Sequence, residues 1–168
     1  MPRNLEYKAK VRELKSLEGI FIDHGGVFVE MLYQTDTYFC VHKGRLKVRE
    51  VTGKNPELIF YERNETSADG MQSIYEIVRL SDLLIKDFLI EALGIKVVVE
   101  KERRLLKIKN ARIHLDLVKD LGEFLEFEVV SEGDDVGDAE LLERLKKLAK
   151  PYVLEEKNLS YSDLVSPY

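Results

Sequence analysis

The sequence predicts a mainly β protein of α+β composition, built as an antiparallel barrel with flanking helices. Three observations predict it. Eight or more short segments alternate apolar with charged or polar residues, as strands with two different faces do. The segments are close together and separated by turn chemistry such as Lys43-Gly44, Thr52 to Pro56 and Asn64 to Gly70. Only a few stretches carry a helical period, so the strands must pair mostly with one another.

The elements follow in order. Leu5 to Val11 reads as a strand with Leu5 and Tyr7 on one face and Glu6 and Lys8 on the other. A helix from about Glu13 to His24 places Leu14, Leu17, Ile20 and Phe21 on one side and ends at Gly25-Gly26. Strands are expected at Val27 to Tyr33, Asp36 to Val41, Arg45 to Val51, Leu58 to Glu62 and Ser73 to Arg79. Ser81 reads as the N-cap of a helix from Asp82 to Leu93, stopped by Gly94. Lys96 to Arg103, Leu105 to Lys109, Arg112 to Leu117 and Glu123 to Ser131 complete the strands. Asp138 reads as the cap of the last long helix. Leu141, Leu142, Leu145 and Leu148 form its stripe, Glu140–Arg144 and Glu143–Lys147 are favourable i,i+4 pairs, and Pro151 stops it. A short helix is expected from Ser162. The similarity of Leu5-Glu6-Tyr7-Lys8 to Leu125-Glu126-Phe127-Glu128, each ahead of a helix, hints at two related halves.

Composition narrows the classes of function. The 168 residues fit one domain, 1–168, and 45% hydrophobic with 34% charged residues describes a globular chain. A net charge of −5 argues against a general nucleic-acid or anionic-membrane binder. No apolar run reaches the length of a membrane span, and the N-terminus leads into a strand rather than a signal peptide, so a cytoplasmic protein is expected. The single cysteine excludes an internal disulfide and a multi-cysteine metal site, and Cys40 reads as core. A homodimer is left open.

The charged strand faces carry the functional question. Lys47 and Arg49 share a face, as do Lys101 and Arg103, Glu6 and Lys8, and Glu126 and Glu128. A solvated face explains any one of these strands, since that is the norm for antiparallel sheets. If the faces turn inward together, Lys8, Lys47, Arg49, Arg63, Lys101 and Arg103 form a basic cage, and Glu6, Asp116, Glu126 and Glu128 an acidic corner. Confined carboxylates need cations, and Mg²⁺ or Mn²⁺ suits their oxygens. Arginine grips phosphate oxygens bidentately and lysine acts as a point charge. No P-loop GxxxxGK[ST] is present. Nine acids and no Lys or Arg lie between Glu123 and Glu143, and Glu132, Asp134, Asp135 and Asp138 read as a solvated loop and helix start. His114 reads as a satisfied polar residue, and Tyr38 and Tyr61 as packed tyrosines.

These segments together resemble the CYTH superfamily, the triphosphate tunnel metalloenzymes, named for class IV adenylate cyclases and thiamine triphosphatases. Asn4-Leu5-Glu6-Tyr7-Lys8 resembles its ExExK opening, with Asn4 in place of the first Glu. Gln34-Thr35-Asp36-Thr37-Tyr38-Phe39 resembles its QxDxYF strand, and Leu46-Lys47-Val48-Arg49 its LRxR strand. Ile59 to Arg63 and Tyr75-Glu76-Ile77 resemble strands that put a base and an acid in the tunnel. Lys101-Glu102-Arg103 resembles the KxR strand, His114-Leu115-Asp116 with Leu121 to Glu128 the HLDxVxxLGxFxExE block, and Ser160-Tyr161-Ser162-Asp163-Leu164 the closing SYxDL element.

The resemblance implies a closed eight-stranded antiparallel barrel whose inward charges bind a metal–triphosphate complex. It implies triphosphate contacts from Lys8, Lys47, Arg49, Arg63, Lys101, Arg103 and Glu76. Lys8, Arg49 and Arg103 would be catalytic, and Glu6, Asp116, Glu126 and Glu128 would hold Mg²⁺ or Mn²⁺. Asn, a neutral and poorer ligand, leaves metal binding to those four acids. The partner implied is a small triphosphate: ATP, thiamine triphosphate or tripolyphosphate. The segments look most like the class IV adenylate cyclase branch, with a triphosphate phosphohydrolase or a non-catalytic nucleotide or polyphosphate binder as alternatives.

Overall fold

The computed structural model describes residues 3–64, 71–157 and 161–165. Its elements are β1 (Arg3–Val11), α1 (Leu14–Asp23), β2 (Val27–Phe39), β3 (Arg45–Val51), β4 (Glu57–Asn64), β5 (Met71–Arg79), α2 (Leu84–Leu93), β6 (Ile95–Ile108), β7 (Ala111–Val118), β8 (Gly122–Val130), α3 (Asp135–Ala149), β9 (Val153–Lys157) and α4 (Tyr161–Leu164). A short 3₁₀ turn, Lys150–Tyr152, links α3 to β9 and carries Pro151. No helix among the described residues is long and apolar enough to cross a membrane.

The strands form one antiparallel sheet of nine, ordered β5-β4-β3-β2-β6-β7-β8-β1-β9. The N-terminal half of β1 also pairs with β5, Arg3 opposite Ile74 and Glu6 opposite Met71. Its C-terminal half pairs instead with β9.

Two segments expected as separate strands on each side are single long ones. β2 runs through Gln34 and Thr35, and β6 through Arg104, because the two pair along almost their whole length from Val27–Lys107 to Phe39–Ile95. Bulges at Phe28/Glu30 and Tyr38/Phe39 absorb the irregularity. β9 is an element the sequence pattern does not reveal.

The main core lies outside the sheet, under the helices. Tyr7, Ala9, Leu106, Ile113, Leu125 and Phe127 point from β1, β6, β7 and β8 toward Leu17 and Phe21 of α1 and Leu141, Leu142 and Leu145 of α3. Each of the buried leucine, isoleucine and phenylalanine side chains contributes roughly 1.5–3 kcal/mol by leaving water. That outward packing fixes the parity of the four strands, and the charged residues between take the opposite face. The turn after α1 depends on glycine: Gly25 has φ +94°, and a Cβ on Gly26 would lie 2.6 Å from the Phe21 carbonyl oxygen.

Three local expectations are corrected. Helix α3 starts earlier than expected, with Asp134 as its cap accepting from the Gly137 amide. Asp138 is not a solvated cap; it is buried, and Asn110 Nδ2 donates to it at 2.7 Å. α2 begins after Leu83, and Asp82, not Ser81, accepts from its first amide, Leu84 N, at 2.9 Å. Cys40 is exposed, because it falls just beyond β2 where the alternation ends.

Candidate functional site

The inner face of the sheet encloses a cavity of about 580 Å³. Even-numbered residues of β1 and β8 and odd-numbered residues of β3 and β6 reach it, as strand parity requires. Lys8, Lys47, Arg49, Lys101, Arg103, Glu6, Glu126 and Glu128 all line it. The charged faces that could each have met water on their own therefore converge.

Two walls differ in character. The bases of β3 and β6 flank β2, which supplies a carboxylate at their centre. Asp36 is fully buried, receiving Arg49 Nε at 2.8 Å, Arg49 Nη2 at 2.9 Å, Lys47 Nζ at 3.0 Å and Lys101 Nζ at 3.5 Å. Burial alone would raise its pKa, but Arg49, Lys47 and Lys101 outweigh that and hold it well below the carboxylate range. Lys101 is pushed well below the ordinary lysine value, by burial first and by neighbouring Arg103 next.

Arg103 grips Asp116 with two 2.7 Å hydrogen bonds, and Tyr161 donates to the same carboxylate at 2.7 Å. The expected metal ligand Asp116 is thus fully buried with both oxygens engaged, and it stands behind Arg103 as a counter-ion. Burial opposes its ionisation, but Arg103 overcomes this and lowers its pKa.

The opposite wall belongs to β1 and β8. Glu6 lies directly across from Glu128, and Lys8 from Glu126. Like charges facing each other across strands are destabilising. Burial, then Glu126 and Glu6, push the Glu128 carboxyl up to about 7. Glu126 is held well below its ordinary value despite burial, because Lys8 (3.6 Å) and Arg103 (3.5 Å) face it. Tyr75 donates to Glu6, and Asn4 donates to Glu128, both by short hydrogen bonds. His114 Nε2 is 3.8 Å from Glu128, and burial followed by Arg103 pushes its pKa down to about 3, so the ring is neutral.

Glu6, Glu126 and Glu128 are oxygen donors of the kind hard divalent cations take. Among the described residues, no three His, Cys, Asp or Glu side chains gather closely enough to hold a metal ion by themselves. Further ligands would have to come from elsewhere.

Tyr38, Ile59, Tyr61 and Tyr161 line part of the cavity and pack in one cluster with Val99 and Phe124. Lys8 lies 3.8 Å above the Tyr161 ring and Lys101 4.9 Å, so α4 contributes an aromatic face to the bases.

One further expectation does not reach the cavity. Glu76 is exposed, because its neighbours Tyr75 and Ile77 take the inner face and the pleat sends Glu76 outward. Arg63 belongs to β4, but its side chain lies outside those described, and Ser160 lies outside the described residues. Residues without an assigned role also appear: Asp36, Tyr75, Tyr161, Arg112 and His114. Asp36 shares the parity of Gln34 and Tyr38, and that was the available signal.

Comparison with known proteins agrees with this architecture. No curated protein sequence matches. PH1012 of Pyrococcus horikoshii superposes with a TM-score of 0.78 at 18% identity, covering 97% of this chain and 99% of that one. A candidate adenylate cyclase of Vibrio parahaemolyticus gives 0.73 at 19% identity, covering 96% of each chain. The Hippeastrum protein HpAC1, a candidate adenylyl cyclase with a dominant triphosphatase activity, gives 0.70 at 12% identity, covering 98% and 94%. At these identities the likeness is one of fold. The CYTH domain itself matches residues 2–160, and with nearly the whole sequence so covered, the chain belongs to the CYTH family.

Proposed function

We propose that this chain is a metal-dependent enzyme that binds a triphosphate within a closed eight-stranded tunnel. In this reading it acts as a class IV adenylate cyclase does, converting ATP to cyclic AMP and pyrophosphate. Closure into a tunnel is supported by the β1–β5 pairing, which joins the two ends of the eight-strand order. The observation that carries the functional reading is the convergence of Lys8, Lys47, Arg49, Lys101 and Arg103 on one cavity that also holds Glu6, Glu126 and Glu128.

The charge balance favours a metal–triphosphate complex over a bare anion. Asp36 and Asp116 already neutralise much of the basic wall, and on the acidic wall Glu6 and Glu128 face each other directly. A divalent cation with its triphosphate answers both. When bound, Mg²⁺ or Mn²⁺ would neutralise phosphate charge and polarise the phosphorus under attack, held by Glu6, Glu126 and Glu128.

The chain's own residues bind and orient. Arg49 and Arg103, fixed by Asp36 and Asp116, present guanidinium groups that cannot swing away, so stabilisation of developing phosphate charge needs little reorganisation. Lys8, Lys47 and Lys101 add point charges between aromatic rings. In the cyclase reaction the ribose 3′-oxygen forms a bond to the α-phosphorus, the bond from that phosphorus to the bridging oxygen breaks, and pyrophosphate leaves with the charge. The hydroxyl proton passes to solvent.

Hydrolysis of an organic triphosphate or tripolyphosphate uses the same wall with water attacking the terminal phosphorus. The triphosphatase activity of the Hippeastrum neighbour favours keeping it as the second reading. The test is incubation of the purified protein with ATP, thiamine triphosphate or tripolyphosphate and Mg²⁺ or Mn²⁺. Cyclic AMP with pyrophosphate is expected; orthophosphate instead would select hydrolysis. Tight binding without turnover would reduce the protein to a nucleotide or polyphosphate binder.

A further inference from the structure

One buried oxygen beside the basic wall meets no donor. Gln34 of β2 is 5% exposed and lines the cavity. Its side-chain oxygen, Oε1, is buried without a hydrogen-bond partner among the described residues. Folded proteins rarely leave such an atom unpaired, and a bound group is one reason it persists. The two residues directly across from Gln34 do not supply the donor. Val51 of β3 has none in its side chain, and Lys101 of β6 turns its Nζ to Asp36 at 3.5 Å and to the Tyr161 ring.

Its place in the cavity says what would. Side chains two apart on a strand share a face and stand about 7 Å apart. Gln34 is therefore one step along β2 from Asp36 and the bases that surround it. The lining of β2 changes in that direction. Tyr38 and Gln34 are buried, Leu32 and Glu30 are half-buried, and Val29 is 44% exposed. Gln34 is thus the last buried lining residue of β2 before the cavity meets solvent. An organic group carried by a triphosphate on the bases finds room on that side, against Leu32 and Val51. Ionised phosphate oxygens accept hydrogen bonds and donate none. Inorganic tripolyphosphate would leave Oε1 unpaired, whereas a hydroxyl on an attached sugar would fill it. In a nucleotide the ribose hydroxyls are the donors nearest the phosphates, and the base amino groups lie farther out.

We propose that Gln34 selects a nucleoside triphosphate over inorganic tripolyphosphate, with Oε1 accepting a hydrogen bond from a ribose hydroxyl. Gln34 then sets specificity without adding charge to the phosphate cage. A site built around a hydrogen bond discriminates strongly against a ligand that lacks it, because the buried partner is left unpaired. This inference rests on the triphosphate-binding reading above.

The test is titration calorimetry of the full chain and its Gln34→Leu variant with ATP, 2′,3′-dideoxyATP and tripolyphosphate. Ca²⁺ replaces Mg²⁺ so that the ligands are held without turnover. ATP should bind the variant at least tenfold more weakly. Tripolyphosphate and dideoxyATP should bind both proteins alike. Circular dichroism checks the fold, and Gln34→Met, unbranched and of similar length, repeats the measurement. Unchanged ATP affinity would overturn the proposal and leave Oε1 to a water molecule. Equal weakening for tripolyphosphate would also overturn it, since Gln34 would then be donating to phosphate through Nε2. A tenfold loss that persists with dideoxyATP would overturn the sugar contact in favour of the base. If the unmodified protein bound neither ATP nor tripolyphosphate at millimolar concentration, the triphosphate reading would fall, and this selection with it.

Discussion

Asp36 faces Arg49, Lys47 and Lys101 from beneath, fully shielded from water. Three confined cations would repel one another without it, and each would lose its fixed direction. Removing one member of a buried ionic cluster costs roughly 3–5 kcal/mol. Asp36→Ala should therefore lower the melting temperature markedly. Tripolyphosphate should raise it more in the variant than in the unmodified protein, because the anion then takes over the missing charge. Equal shifts in thermal unfolding would show that Asp36 is not the internal counter-ion. At this scale the sequence was half legible. Alternation identifies which residues share a face, as it does for Lys47 with Arg49 and Glu126 with Glu128, but not which partner meets them from another strand. Asp36 lies in a strand that alternation identifies, but its role follows only from the register that sets it opposite Arg49. Glu76 is the reverse case, an acid in a recognisable strand whose parity turns it to solvent.

Among the elements, helices with strong stripes and strands with clean alternation could be read directly, and their joints could not. β2 and β6 look broken in sequence because polar or charged residues fall on both faces near Gln34-Thr35 and Arg103-Arg104. The outward Arg104 is held by a two-pronged contact with Glu18 of α1, both distances 2.7 Å, so the strand continues through it. Only long-range pairing explains that continuity. The start of α3 teaches the same lesson. Either Asp134 or Asp138 could cap a helix, and the choice depends on Asn110, which claims Asp138 from the β6–β7 turn. Asp134→Ala should cost about 1 kcal/mol, the usual worth of an N-cap, because it removes only the acceptor for the Gly137 amide. Asp138→Ala should cost more, since it leaves a buried amide donor short of a partner. Urea unfolding of the two variants measures this order, and the reverse order would return the cap to Asp138.

Across the whole molecule, the sheet sets a basic wall on β3 and β6 against an acidic wall on β1 and β8, and the two should respond oppositely to loss of charge. Arg49→Ala removes a cation that Asp36 needs, so the metal-free protein should lose stability along with activity. Glu128→Gln removes a carboxylate that burial, Glu126 and Glu6 have pushed up to about 7. A raised acid pKa means the folded state holds its proton more tightly than the unfolded chain between about 4.5 and 7. Stability therefore falls as pH rises through that window, and the glutamine, which never ionises, should abolish that part of the fall. The expected result in EDTA at pH 8 is a higher melting temperature for Glu128→Gln and a lower one for Arg49→Ala. Turnover with metal and triphosphate should drop by about 10² or more in both, the scale of losing one group that stabilises transition-state charge. A stabilised but inactive Glu128→Gln is the pattern of a site that holds destabilising charge for function. If the glutamine variant melted lower at pH 8, the acidic wall would be a structural ion-pair network and its place in the reaction would be lost.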